Sequence, residues 1–153
     1  MRRLLRNTHW DRAQALDLLN RPKEALADWD RAVELSPAAD QPRMQLGRAR
    51  TRARMGEAAA AVAEAAALTR DPATPGAVCF EAATVYALAA AKEATQREAY
   101  AGQAMALLRR AQAAGFFKDR THIGDLKHSD FEPLRSREDF KEFVAALEDA
   151  KKQ

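Results

Sequence analysis

Few of the residue types that do covalent or metal chemistry are present, and their spacing argues against most of that chemistry. The chain has one cysteine, Cys79, and three histidines, His9, His122 and His128. No histidine stands at a metal-ligand spacing from the cysteine or from another histidine. His122 and His128 with Asp125 and Asp130 can be drawn as a site, but no flanking pattern signals the structure a metal would need. Cys79 lies inside an apolar helical stretch with no histidine close in sequence. A nucleophile there would need a base from elsewhere, so a buried structural thiol is expected. No carboxylate pair or nucleophile elbow stands out. The expectation is no catalysis, no metal and no cofactor.

The side chains that do suggest a task are arginines. Arg43, Arg48, Arg50, Arg52 and Arg54 fall in one segment that contains no acid. At 100° per helical residue, Arg43, Arg50 and Arg54 lie within about 40° of one another, beside the apolar stripe of Leu46, Ala49 and Ala53. Arg48 and Arg52 point elsewhere. A guanidinium takes a carboxylate or phosphate through two parallel hydrogen bonds, so such a row suits an acidic or phosphorylated peptide, or a C-terminal carboxylate. The competing use is a solvated helix face that aids solubility.

The elements that hold these residues are helices. Alanine makes up about a quarter of the 153 residues, and Ile123 is the only isoleucine. Alanine, leucine, glutamate and arginine lose little freedom in a helix, whereas strands favour the β-branched and aromatic types scarce here. A net charge of +3 is too mild to call by itself for nucleic acid or membrane. The longest uncharged apolar run, Val85 to Ala91, could not cross a bilayer. One cysteine and no signal-peptide pattern at the start lead to a cytoplasmic expectation.

Breakers divide the chain at intervals: Pro22, Ser36-Pro37, Asp40-Gln41-Pro42 with the aspartate as a capping residue, Gly56, the loop 71–76 and Gly115. Between them the periodicity predicts helices near 7–20, 22–36, 41–55, 57–70, 76–92, 96–115 and 137–150. Short connections make consecutive helices antiparallel hairpins, about 6–37, 41–71 and 76–115. Residues 116–153 are expected to be a C-terminal capping segment of the same domain.

A triplet spaced i, i+4, i+7 recurs: Ala25, Trp29 and Ala32; Ala61, Ala65 and Leu68; Ala104, Leu108 and Ala111. The offsets of 36 and 43 residues lie near the period of about 34 of tetratricopeptide repeats. Small residues let two helices approach closely, and the larger one fills the gap to the next hairpin.

On these residues the chain resembles the tetratricopeptide (TPR) family. Residues 12–37 match one repeat and close with Pro37; Ala13 and Ala83 hold the small position of a first helix, followed by Leu16 and Tyr86. Arg52 departs from the apolar residue expected in the second hairpin, and an insertion falls near Lys92–Glu98. The resemblance covers roughly 6–115. It implies an all-α, right-handed superhelix of three hairpins plus a C-terminal capping helix. It also implies a concave groove lined by the first helix of each hairpin. Groove positions then fall on Trp10, Gln14 and Leu18, on Arg43, Arg50 and Arg54, and on Phe80, Thr84 and Leu88. Trp10 and Phe80 could anchor a peptide side chain, although packing between hairpins is the commoner use.

Residues 104–140, with Gly115-Phe116, the run Asp130–Arg135 and Asp139-Phe140, resemble the end of TPR regions found behind bacterial serine/threonine protein kinases. No phosphate loop or His-Arg-Asp is present, and Asp-Phe is followed by Glu132 or Lys141 instead of glycine. The resemblance therefore implies a regulatory or detached tail without phosphotransfer of its own.

The expected function is a protein-interaction scaffold whose partner is a protein or peptide. The alternative is a helical nucleic-acid binder using the arginine-rich hairpin; Asp28, Asp30, Glu34 and Glu64 interrupt any basic track. No membrane partner is expected. At the ends, Phe140, Phe143, Val144 and Leu147 have the spacing of a helix laid over the open face of the last hairpin. Leu4 and Leu5 look like the stub of a preceding helix. The uncovered N-terminal end invites self-association or contact with an upstream domain.

Overall fold

The computed structural model describes residues 1–151. Eight α-helices follow in order: α1 (Arg2–Leu18), α2 (Pro22–Leu35), α3 (Gln41–Arg54), α4 (Ala58–Leu68), α5 (Gly76–Lys92), α6 (Arg97–Ala113), α7 (Thr121–Asp125) and α8 (Glu138–Lys151). Short 3-10 turns occupy Ala94–Gln96, Phe116–Lys118 and Ser129–Leu134, and the described residues contain no strand. None of the described helices is long and apolar enough to cross a membrane.

Local chemistry sets the boundaries. Asn20 takes a left-handed conformation at φ 55, which asparagine tolerates better than most residues, and Pro22 then opens α2. Gly115 ends the α6 region at φ 86, where a side chain would be strained, and turns the chain back across α5.

Two expectations at the N-terminal side are corrected. Helix α1 begins at Arg2, so Leu4 and Leu5 belong to it and are not a separate stub. Nothing between residues 2 and 18 breaks a helix, and Arg2 Nη2 ties its start to the Glu34 carbonyl at 2.9 Å. Asp40 makes no capping bond to α3; its carboxylate pairs with Arg6 instead.

Helices pack in pairs, α1 with α2, α3 with α4 and α5 with α6, and the pairs meet through α2–α3, α3–α5 and α4–α5. The recurring triplets lie inside. Ala25, Ala32, Ala61, Ala65, Ala104, Leu108 and Ala111 are fully buried, Trp29 nearly so, and Leu68 half-buried. Burying one large side chain such as Leu108 contributes about 1.5–3 kcal/mol; the alanines contribute by letting backbones approach.

The predicted helices leave out 116–134, where the structure forms α7 and two 3-10 turns. Ser129–Leu134 packs along α5, Phe116–Lys118 against α6, and α7 against Phe116–Lys118 and α8. Gly115, Gly124 and Pro133 punctuate this stretch, so no helical period is visible in it. Phe117 and Phe131 are buried there, and Phe140, Phe143 and Leu147 of α8 pack on them from outside. Ring centroids lie 5.7 Å apart for Phe117–Phe143 and 6.2 Å for Phe131–Phe140. Thus α8 seals the aromatic layer, and the segment before it covers α5.

Candidate partner-binding cleft

The predicted groove residues separate into an open group on α1 and α3 and a covered group on α5. Trp10 and Arg43 meet directly: the Arg43 guanidinium carbon stands 4.4 Å from the Trp10 ring centroid, a cation–π contact. Arg43 and Gln14 are exposed and Trp10 is half-buried. Leu18, at the end of α1, is almost fully exposed.

Phe80 and Thr84 are largely covered, although both still line the cleft beside Arg50. Phe80 stacks on Phe116 at 4.8 Å and also meets Phe117 and Phe131, and it is buried. Thr84 is buried too, its hydroxyl donating to the Phe80 carbonyl at 3.2 Å. Leu88 is half-buried against the main core. The cause is the aromatic content of the C-terminal segment, which finds its apolar partner on α5. Here packing takes the place of the expected peptide anchor.

Most of the arginines already have acids. Arg48 bonds Asp30 at 2.8 Å and also Glu64, and Arg52 reaches Glu64 at 3.3 Å and Glu57 at 3.9 Å. Arg54 Nη2 donates to both carboxylate oxygens of Asp130 at 3.0 and 3.1 Å, and its Nη1 lies 4.0 Å from Asp17. The expectation that Arg54 supplies spare charge is therefore corrected: it staples the C-terminal segment to the end of α3. Arg50 pairs with Glu81 of α5 at 3.0 Å, yet its Nε is buried without a hydrogen-bond acceptor.

Arg50 also lines the cleft, which measures about 540 Å³. Arg50, Phe80, Glu81 and Thr84 form one wall; Asp125, Lys127, His128 and Asp130 form the opposite one. A more apolar neighbouring cleft of about 360 Å³ shares Phe80, Glu81 and Asp125 and runs on to Arg43 and Leu46. The C-terminal segment has narrowed the predicted groove and supplied a second wall. Its residues were not among the predicted site, because nothing in their spacing places them opposite α3 and α5. The one available signal was charge: an arginine row beside buried helices needs counter-ions.

His122 and His128 are engaged locally. His122 stacks on Phe116 at 4.0 Å and holds Asp125 at 3.0 Å; His128 Nδ1 accepts from the Asp130 amide at 3.2 Å. Among the described residues no group of three or more His, Cys, Asp or Glu could hold a metal ion. Cys79 is buried, and burial pushes its thiol above the usual range, away from nucleophilic use.

Comparison with models of protein families, with curated proteins and with solved structures returned no match for this chain.

Proposed function

We propose that this chain is a TPR-like interaction module, a superhelical stack of three hairpins that captures a short segment of a partner protein. The partner segment enters along Trp10 and Arg43 and ends at Arg50. What supports this most is the cleft that Arg50 lines, with room for one to a few side chains. A partner carboxylate or phosphate entering the cleft would share the Arg50 guanidinium, whose Nη1 now pairs with Glu81 at 3.0 Å. The Trp10–Arg43 pair offers a flat, partly exposed platform for the rest of the segment.

Charge pairing favours a protein partner over nucleic acid. Arg48, Arg52 and Arg54 are held by Asp30, Glu64, Glu57 and Asp130, which leaves no continuous basic track for a phosphate backbone. The resemblance of residues 104–140 to the tails of bacterial serine/threonine kinases extends the proposal to a regulatory role beside such a kinase in the cytoplasm.

The test is affinity capture from a bacterial lysate with the native chain and with Arg43→Ala/Arg50→Ala. Arg54 is left intact because it holds the fold. Loss of specific captured proteins in the variant is the expected result, with a kinase among them if the extended role holds. Identical captured sets would remove the cleft from consideration.

A further inference from the structure

Among the described residues helix α1 packs extensively only along α2. Leu4 and Leu5 near its start are 67% and 47% exposed; Leu18 and Leu19 at its end are 89% and 66% exposed. Between these leucine pairs lie Thr8, Asp11, Arg12 and Ala15, also exposed. At 100° per residue all of them fall on one arc of about 140°.

Their order is self-complementary. Laid antiparallel on a copy of itself, with a two-fold axis between residues 11 and 12, the helix brings Leu4 to Leu19, Leu5 to Leu18 and Thr8 to Ala15. Asp11 then meets Arg12, once on each side of the axis. A parallel pairing would set like charges against each other at the same two positions.

The side chains are prepared for this. Thr8 already donates its hydroxyl to the Leu4 carbonyl at 3.0 Å, so no polar hydrogen is left to desolvate. Arg12 is held by Asp28 through Nε and Nη2, both at 2.6 Å, with Nη1 left for a further acceptor. Among the described residues Asp11 has no ion-pair partner within the chain.

We propose that a second copy of this chain covers the face, through an antiparallel α1–α1 pair on a two-fold axis. Such an interface is isologous, the commonest way for one surface to close on itself. It uses neither Arg50 nor the cleft, so a dimer would present two clefts at once and gain avidity for a partner carrying two copies of its segment. Helix α1 is about 25 Å long, which makes the contact small and the association concentration-dependent in the micromolar range, on the order of 1–100 µM.

Sedimentation of the full chain from about 1 µM to about 1 mM tests this. A monomer–dimer equilibrium is expected. Leu18→Glu and Asp11→Arg, each at an exposed side chain with no contact to lose, should weaken it at least about tenfold without changing the thermal melt of the dilute protein. Mixing Leu18→Glu with Leu5→Lys should restore dimers that neither variant forms alone, since the new anion of one copy then faces the new cation of the other, while the native Leu5–Leu18 pair survives across the axis. A native chain that stays monomeric throughout would overturn the proposal and leave the face to another polypeptide. A dimer indifferent to Leu18→Glu and Asp11→Arg would overturn it as well, and a mixture that stays monomeric would refute the antiparallel register.

Discussion

The indole of Trp29 lies so close to Gly47 that a β-carbon there would stand 2.4 Å from Cη2 and 2.5 Å from Cζ3. This contact is where α2 presses on α3 and the first hairpin joins the second. Trp29 is buried, and its Nε1 donates to Asp17 of α1 at 3.0 Å. Thr51 Oγ1 of α3 lies 2.8 Å from the same carboxylate. One aspartate thus binds three helices around the ring.

Gly47→Ala should therefore destabilise the protein, although alanine is the better helix former by about 1 kcal/mol. Overpacking against a rigid ring costs about 1–3 kcal/mol, and urea unfolding would show a lower midpoint. In a Trp29→Leu background, which makes room, the same change should be neutral or stabilising. A Gly47→Ala protein as stable as the native one would show that the ring shifts freely.

The Arg54–Asp130 staple should govern how firmly the C-terminal segment lies on α5. Asp130→Asn keeps the shape and removes the charge, and the expected loss is about 1 kcal/mol, discounted for the partial exposure of Arg54. Hydrogen exchange should rise across 129–134 while α2 and α4 stay protected. Unchanged exchange in that turn would mean that aromatic packing alone holds it.

Asp28 should make part of the stability pH-dependent. It is buried and accepts bonds from Arg12 at 2.6 Å and from His9 Nδ1 at 2.7 Å. The Arg12 guanidinium, more than any other group, holds its carboxyl below the usual aspartate range against the opposing effect of burial. The folded state therefore binds this proton less readily than the unfolded one. Its contribution is complete above the ordinary aspartate value of about 4 and fades as the pH falls through the lower folded value. Asp28→Asn should be less stable than the native chain by about 1–2 kcal/mol at pH 7, and the gap should narrow below about pH 4. Urea midpoints measured from pH 7 down to 3 would show it; a gap of constant size would count against the carboxylate's charge as the cause.

How much was legible beforehand differs along the chain. The triplets from Ala25 to Ala111 could be read because their spacing places small and large side chains on one helix face, and such a face becomes interior. The helix boundaries at Pro22, Gly56 and Gly115 followed from backbone chemistry that acts locally. Residues 116–134 could not be placed, since three breakers erase any period and their position depends on contacts with Phe80, far away in sequence. The arginine row was visible, but its counter-ions were not: Asp17, Glu64 and Asp130 come from three separate segments. A helical-wheel argument says which way a charge points and nothing about what waits there. Arg54 was misassigned for that reason.

Arg54 and Asp130 are 76 positions apart in the chain, whereas each hairpin is closed by neighbours within a few turns. Long loops are slow to close, and local contacts form first. The paired helices should accordingly assemble early, with the Phe80 face of α5 bare for a time, and the C-terminal segment should arrive as the last step. During that interval the nascent protein exposes an aromatic surface that its finished form hides.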